Sequence, residues 1–196
     1  MRTKVLLTIA AALMLIISLV AIGSNMAFKI SIPLTAGYSN FVSLPYYNSY
    51  TNASLMFNDI TSASAVSRYD NPTTSWQDWS GTRGTNFTVN EGEAYVVQVS
   101  ASSNWIVVGS HDPGKAITLT TGYSNMIAPP YHTTKTNASL LFNEIPNASD
   151  LSRYDNPTTS WQDWSGTRGT NFAITAGEGL VAQVSVTSST WTPAHY

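Results

Sequence analysis

The chain of 196 residues contains no cysteine. That absence excludes disulfides, a lipid-modified cysteine anchor and a cysteine nucleophile, so an exported domain of this sequence must hold together by packing alone. Charge is also scarce, at 10% of residues, where soluble domains carry about 25%. Apart from Arg2 and Lys4, seven basic side chains stand against eleven acidic ones. A nucleic-acid surface needs a basic stripe that displaces counterions, and this balance supplies none. Histidine is scattered at His111, His132 and His195, with no histidine at the matching position of the internal repeat described below. No G-x-S-x-G elbow, H-E-x-x-H helix or phosphate-binding loop occurs. The expectation is a protein that is not an enzyme, with no catalytic residue, no metal site and no cofactor. Beyond Ala27 no apolar run approaches the roughly 20 residues that span a bilayer.

What is present begins with an export signal over residues 1–27. Arg2 and Lys4 form its positive start, and residues 5–22 form an almost unbroken apolar run. Two small-residue sites, Ala21-Ile-Gly23 and Asn25-Met-Ala27, suit cleavage; if uncleaved, the segment is an N-terminal membrane anchor.

The mature chain is organised around Ser67–Phe87, SRYDNPTTSWQDWSGTRGTNF, which recurs letter for letter at Ser152–Phe172. The two copies lie about 85 residues apart, and about two-thirds of the aligned positions around them are identical. A repeat of this kind means one structural unit used twice. The expected units are residues 28–112 and residues 113–196.

Each unit reads as β-rich. Residues 28–35 alternate apolar and polar side chains as a strand does, with Pro33 placing it at an edge. Gly37-Tyr-Ser-Asn40 reads as a turn and residues 41–47 as a second strand broken at Pro45. Leu55, Met56 and Ile60 recur at helical spacing after Thr51 and Asn52, either of which can cap a short helix. Residues 65–69 and 75–79 form a hairpin around the turn Asp70-Asn-Pro-Thr-Thr74, whose residues favour turns. A polar loop, a short strand at 87–89, a buried-looking strand at 94–99 and a closing strand at 105–108 follow. The second unit repeats the order. Its end diverges: Pro193 shortens the last strand and leaves an edge open. The copies also differ between residues 41–50 and 126–135. The expected fold is all-β: a tandem pair of similar β-sandwich or small-barrel modules, each with one short helix, after an N-terminal signal segment.

The order of these pieces resembles a module of bacterial and archaeal secreted surface proteins with a "GWNLISLP" opening, a short helix, a "WxYD…W" hairpin and a "GxGYWV" strand. The matching segments are Gly37 to Pro45, Arg68-Tyr-Asp70 with Trp76, and Gly92-Glu-Ala-Tyr-Val96, and in the second copy Gly122 to Pro130, Arg153-Tyr-Asp155 with Trp161, and Gly177-Glu-Gly-Leu-Val181. The chain departs from it at Tyr38, at the extra Ser39 and at Leu180. The resemblance implies a surface, adhesive or scaffold-attached role and brings no catalytic residue.

Candidate ligand-binding residues are those of the repeated hairpin: Tyr69, Trp76, Trp79 and Arg83, with Tyr154, Trp161, Trp164 and Arg168. Flat aromatic faces beside polar groups are what a sugar ring stacks on, and they also serve as core residues of a hairpin. Trp76 and Trp79 are three positions apart, so a regular strand sends them to opposite faces, one to the core and the other outward. Asp70, Asn71 and Asp78 carry oxygen ligands but lack the spacing of a calcium loop; an Asx-turn at Asp70 is the simpler use. Glu91 and Glu93, two apart in a turn, read as solvated rather than as a catalytic pair. Asn52, Asn86, Asn137 and Asn147 match the N-glycosylation pattern.

These observations lead to the expectation of a secreted or cell-surface protein of a prokaryote, structural or interacting, able to assemble with copies of itself or other surface proteins. The alternative is a carbohydrate-binding or adhesive module using the hairpin aromatics. Nucleic acid is not expected as a partner, and the membrane enters only through residues 1–27.

Overall fold

The computed structural model describes residues 27–110, 112, 114–186 and 188–194. All but the last residue of the expected export signal, together with His111 and His195, lies outside the described residues. The structure is mostly β and falls into two similar units. The first comprises β1 (Phe28–Leu34), β2 (Asn40–Ser43), α1 (Ala53–Asp59), β3 (Ala63–Asp70), β4 (Ser75–Trp79), β5 (Ala94–Val99) and β6 (Ser103–Gly109). The second comprises β7 (Ile117–Thr120), β8 (Asn125–Ile127), α2 (Ala138–Glu144), β9 (Ala148–Asp155), β10 (Ser160–Trp164), β11 (Leu180–Val184) and β12 (Ser188–Trp191). Each unit holds a four-stranded antiparallel sheet, ordered β4-β3-β5-β2 or β10-β9-β11-β8, and a two-stranded ribbon, β1-β6 or β7-β12.

Alternation in the sequence sets the core. In β1, Ile30, Ile32 and Leu34 are buried while Lys29, Ser31 and Pro33 face out. They join Trp105 and Val107 of β6, Val42, Val66 and Val97 of the large sheet, and Met56 of α1 in one apolar cluster. The second unit builds the corresponding cluster from Leu119, Ile127, Leu141, Leu151, Leu180 and Trp191. β12 is four residues long where β6 has seven, and Pro193 lies just beyond its end.

Helices of seven residues are too short to persist alone and depend on their caps. The Asn52 side chain accepts from Leu55 N–H at 3.1 Å, and Asn86, from the distant loop, accepts from Ser54 N–H at 2.8 Å. Asn137 and Asn171 repeat the arrangement. The expected strand at 87–89 is instead a strap over the helix start. Ala53 N–H donates to the Phe87 carbonyl at 2.9 Å and Val89 N–H to the Thr51 carbonyl at 3.2 Å, so its hydrogen bonds serve the cap. The second strand stops at Ser43, short of the expected Tyr47. Pro45 cannot continue the ladder, and Tyr46 turns inward, where its hydroxyl donates to the Ala128 carbonyl at 3.1 Å.

A buried asparagine fixes the turn that leads into β2 and into β8. Asn40 accepts from Thr35 N–H at 2.8 Å and donates to the Val97 carbonyl at 3.0 Å. Asn125 does the same with Thr120 and Ala182.

The units meet along β2 and β8, the inner edges of the large sheets. Ser43 N–H donates to the Gly177 carbonyl at 2.8 Å, and Ala128 N–H to the Gly92 carbonyl at 2.9 Å. These bonds exchange under the repeat offset, so the repeats are related by a local two-fold axis. Ala94 and Gly179 are mates at that axis, and a Cβ on Gly179 would stand 2.8 Å from the Ala94 Cβ. This contact explains why β5 is buried on both sides. Tyr95, Val97 and Val99 face their own core, while Ala94 and Val96 join Met126 and Val181 in a third cluster at the junction.

Candidate functional site

Backbone register sorts the repeated hairpin into two faces. Val66 pairs with Trp79 and Arg68 with Gln77 on the core side; Ser67 pairs with Asp78 and Tyr69 with Trp76 on the other. The turn of residues 71–74 that joins them puts Thr74 at φ 50. The Asp70 carboxylate there accepts from the Thr73 hydroxyl and lies 3.7 Å from the Arg68 guanidinium. It therefore does not form the expected Asx-turn to backbone N–H groups.

The local two-fold axis brings the outward faces of both hairpins together. Tyr69 and Trp76 have ring centroids 5.4 Å apart, and Tyr154 and Trp161 5.5 Å. Phe41 links them, 5.5 Å from Tyr154, 5.2 Å from Trp161 and 6.5 Å from Trp76. Trp76 and Trp161 each remain 46% exposed.

Around this pair lie two basins that are mates under the repeat. The larger, about 620 Å³, is lined by Tyr69, Trp76, Trp161, Met126, Asp150 and Asp163, with Ser152 and Gln183 at its floor and rim. The smaller, about 370 Å³, is lined by Tyr154, Trp161, Trp76, Phe41 and Asp78, with Ser67 and Gln98. Both tryptophans line both basins. Phe41 stands where the mate has Met126, and its ring occupies space on the smaller side. Burial, with the charge of Asp163 nearby, pushes the Asp150 carboxyl above the usual carboxylate range, while a 2.6 Å hydrogen bond from the Ser152 hydroxyl acts the other way.

Of the eight candidates from the sequence, Tyr69, Trp76, Tyr154 and Trp161 converge on this cleft. Trp79 and Trp164 do not: they pack against the two cores, with their indole N–H groups buried and unpaired. Arg83 and Arg168 do not reach it either. They sit on exposed loops that fold back on the hairpin through Thr85 N–H to the Asp78 carbonyl and Thr170 N–H to the Asp163 carbonyl. Sequence reasoning missed Phe41, Met126, Asp150 and Gln183. The divergence of residues 41–50 from 126–135 was the only hint, because the junction that recruits them is a tertiary contact.

The acidic residues separate rather than cluster. Asp70 belongs to the core side of its hairpin and Asp78 to the cleft. Among the described residues no group of three or more His, Asp or Glu side chains converges. Glu93 is not a solvated turn residue as expected. It accepts from the Tyr95 hydroxyl at 3.0 Å and Asn90 at 2.9 Å, with Arg68 at 3.9 Å, and burial raises its carboxyl above the usual range. Its mate Glu178, also raised by burial, lies 3.5 Å from Arg153. Glu91 pairs separately with Lys115 at 2.8 Å, so the two glutamates share no reacting point. Asn52 and Asn137 are confirmed as helix caps.

Set against protein-family models, curated proteins and solved structures, the chain matches none. Among the described residues no helix is long and apolar enough to cross a membrane.

Proposed function

We propose that this chain is a non-enzymatic protein of a prokaryotic cell surface or its surroundings, and that it binds a glycan in the cleft between its two units. Export by residues 1–27 and the likeness to surface-protein modules support the location. Each unit on this reading is a small β-sandwich, the ribbon closing over the large sheet, with the pair acting as one rigid platform. The observation that carries the proposal is the convergence of Trp76 and Trp161, each nearly half exposed, beside carboxylate and amide side chains. Aromatic faces accept the C–H faces of sugar rings, and Asp78, Asp163, Gln98 and Gln183 are placed to take hydroxyls. Two basins side by side suit neighbouring residues of a chain rather than a monosaccharide.

The test is titration of the protein with a panel of oligosaccharides, followed by tryptophan fluorescence and calorimetry, on the parent and on Trp76→Ala and Trp161→Ala. Saturable quenching in the parent, lost in both variants, supports the proposal. Indoles that acrylamide cannot reach, or oligosaccharide binding untouched by either substitution, sink it.

Self-assembly is a second reading. It is favoured by Ile106 and Val108, 42% and 58% exposed, on the outer face of the β1-β6 ribbon, whose outer edges also carry unpaired backbone groups. Sedimentation of the mature protein tests it: a monomer that persists at high concentration argues against it.

A further inference from the structure

The two basins differ in charge. Asp150 and Asp163 both line the larger one, where no lysine, arginine or histidine accompanies them. The smaller has Asp78 alone, because Ala65 stands at the position matching Asp150 and does not line it. Ion pairs elsewhere engage Asp70, Glu91, Glu93, Glu144, Asp155 and Glu178, and none of them involves Asp150 or Asp163. Two carboxylates held together without a counter-charge repel each other, and a cation between them relieves that repulsion. Three rings, Tyr69, Trp76 and Trp161, border the same space. Aromatic faces attract cations through the ring quadrupole, so they reinforce the carboxylates rather than oppose them. Among the described residues no third carboxylate or histidine joins Asp150 and Asp163 to complete a metal-binding group, and the rest of the wall is largely aromatic and aliphatic rather than the shell of oxygen ligands a hard metal ion takes. An organic ammonium suits this wall, because its apolar body can lie on the indoles while its N–H groups point at the carboxylates.

We propose that the larger basin is the subsite for a protonated amino sugar, so that the preferred ligand is a glycan with free amino groups, a glucosamine-type oligosaccharide. The smaller basin takes its neighbouring ring through stacking and neutral hydrogen bonds. This rests on the glycan reading above and adds the chemical class of its ligand.

The experiment is calorimetry at about pH 6 and again at about pH 7, which keeps a sugar amine substantially protonated while giving the raised Asp150 carboxyl room to ionise. The probes are a fully deacetylated glucosamine tetramer and its N-acetylated counterpart, and a panel of neutral oligosaccharides runs alongside. The deacetylated tetramer is expected to bind about tenfold or more tighter, which corresponds to one well-placed charge-assisted contact. Asp150→Ala installs the residue that the first unit already carries at Ala65, so the strand tolerates it. It is expected to cost about tenfold for the deacetylated tetramer and nothing for the acetylated one. Asp112→Asn removes the same charge away from the cleft and is expected to change neither, which separates a local contact from general attraction of a polycation. Equal binding of the two tetramers, or an equal loss for both in Asp150→Ala, overturns the amine subsite and leaves the glycan reading standing. Binding of neutral oligosaccharides with neither tetramer bound has the same meaning. If no oligosaccharide binds at all, both proposals fall.

Discussion

Replacing Trp76 and Trp79 in turn by alanine separates the cleft from the core within a single strand. A tryptophan buries about 150–250 Å² on folding, and Trp76, 46% exposed, hides only about half of that. Roughly 100 Å² at about 25 cal/mol per Å² gives about 2.5 kcal/mol, trimmed to about 2 because the denatured chain is already partly compact. Losing the edge-to-face contact with Tyr69, at 5.4 Å, adds about 0.5–1.5 kcal/mol. Trp76→Ala should therefore cost about 2.5–3.5 kcal/mol, a fall in Tm of roughly 5–14 °C for a protein of this size. Trp79→Ala empties a place packed against the first core and should cost about 3–5 kcal/mol. The binding effects run the other way. Truncating a tryptophan at the centre of a site typically costs about 2 kcal/mol or more, a factor of about 30. Because Trp76 lines both basins, its removal should weaken binding as much as removal of Trp161. Urea titrations and calorimetry on the four variants Trp76→Ala, Trp79→Ala, Trp161→Ala and Trp164→Ala check both halves. If Trp79→Ala lowers affinity in a fully folded protein while Trp76→Ala does not, the assignment of the two faces is wrong.

Further outcomes follow from the backbone and from the buried carboxyls. Gly84→Ala should cost about 3 kcal/mol or more by thermal melting, since φ is +101 and the new Cβ would meet the Asp78 carbonyl oxygen at 1.9 Å; an unchanged Tm contradicts the loop geometry. Ser62→Asn should stabilise by about 0.5 kcal/mol, because Ser62 sits at φ 63 while its mate at φ 59 is Asn147, and asparagine tolerates that region better. Gly179→Ala should loosen the junction of the two units, and adding Ala94→Gly should restore part of the loss in urea midpoint, if the two residues face each other across the axis. Glu93 and Glu178 have folded-state pKa values raised by burial, so the folded state holds their protons more tightly than the unfolded chain does. Their contribution is most favourable below the ordinary glutamate pKa of about 4.3 and is lost as pH rises through the raised folded values. Urea midpoints measured across that window should fall less steeply in a Glu93→Gln, Glu178→Gln protein than in the parent.

Much of the local structure was written in local pattern. The alternation of Ile30, Ile32 and Leu34 gave β1, the Asp-Asn-Pro turn gave the hairpin, and Asn52 before an apolar helical spacing gave the capped helix, because each depends on neighbours within a few residues. The three-position spacing of Trp76 and Trp79 was enough to send them to opposite faces. The errors arose where hydrogen bonds come from afar. Residues 87–89 look like a strand but spend their backbone groups on α1, and Glu93 looks exposed but is covered by Tyr95, Asn90 and Arg68. Arg83 and Arg168 were expected beside the aromatics because they are close in sequence, yet Gly84 and Gly169 turn their loops away.

The sequence by itself determined the number of units, the alternation that turns one face of β1 into its core and the opposite facing of the two tryptophans of each hairpin, since repeat, period and turn chemistry are properties of the chain read along its length; which tryptophan faces outward came from the fold. Only the tertiary structure decided that the two hairpins share one cleft. That depends on β2 and β8 finding carbonyl partners at Gly177 and Gly92 across a local two-fold axis, and on Ala94 and Gly179 being small enough to let the backbones meet there. A pairing between units set by edge hydrogen bonds and steric fit leaves no periodic trace in either copy. For that reason the divergence at Phe41 and Met126 could not be tied to Asp150 or to one shared surface until the chain was folded.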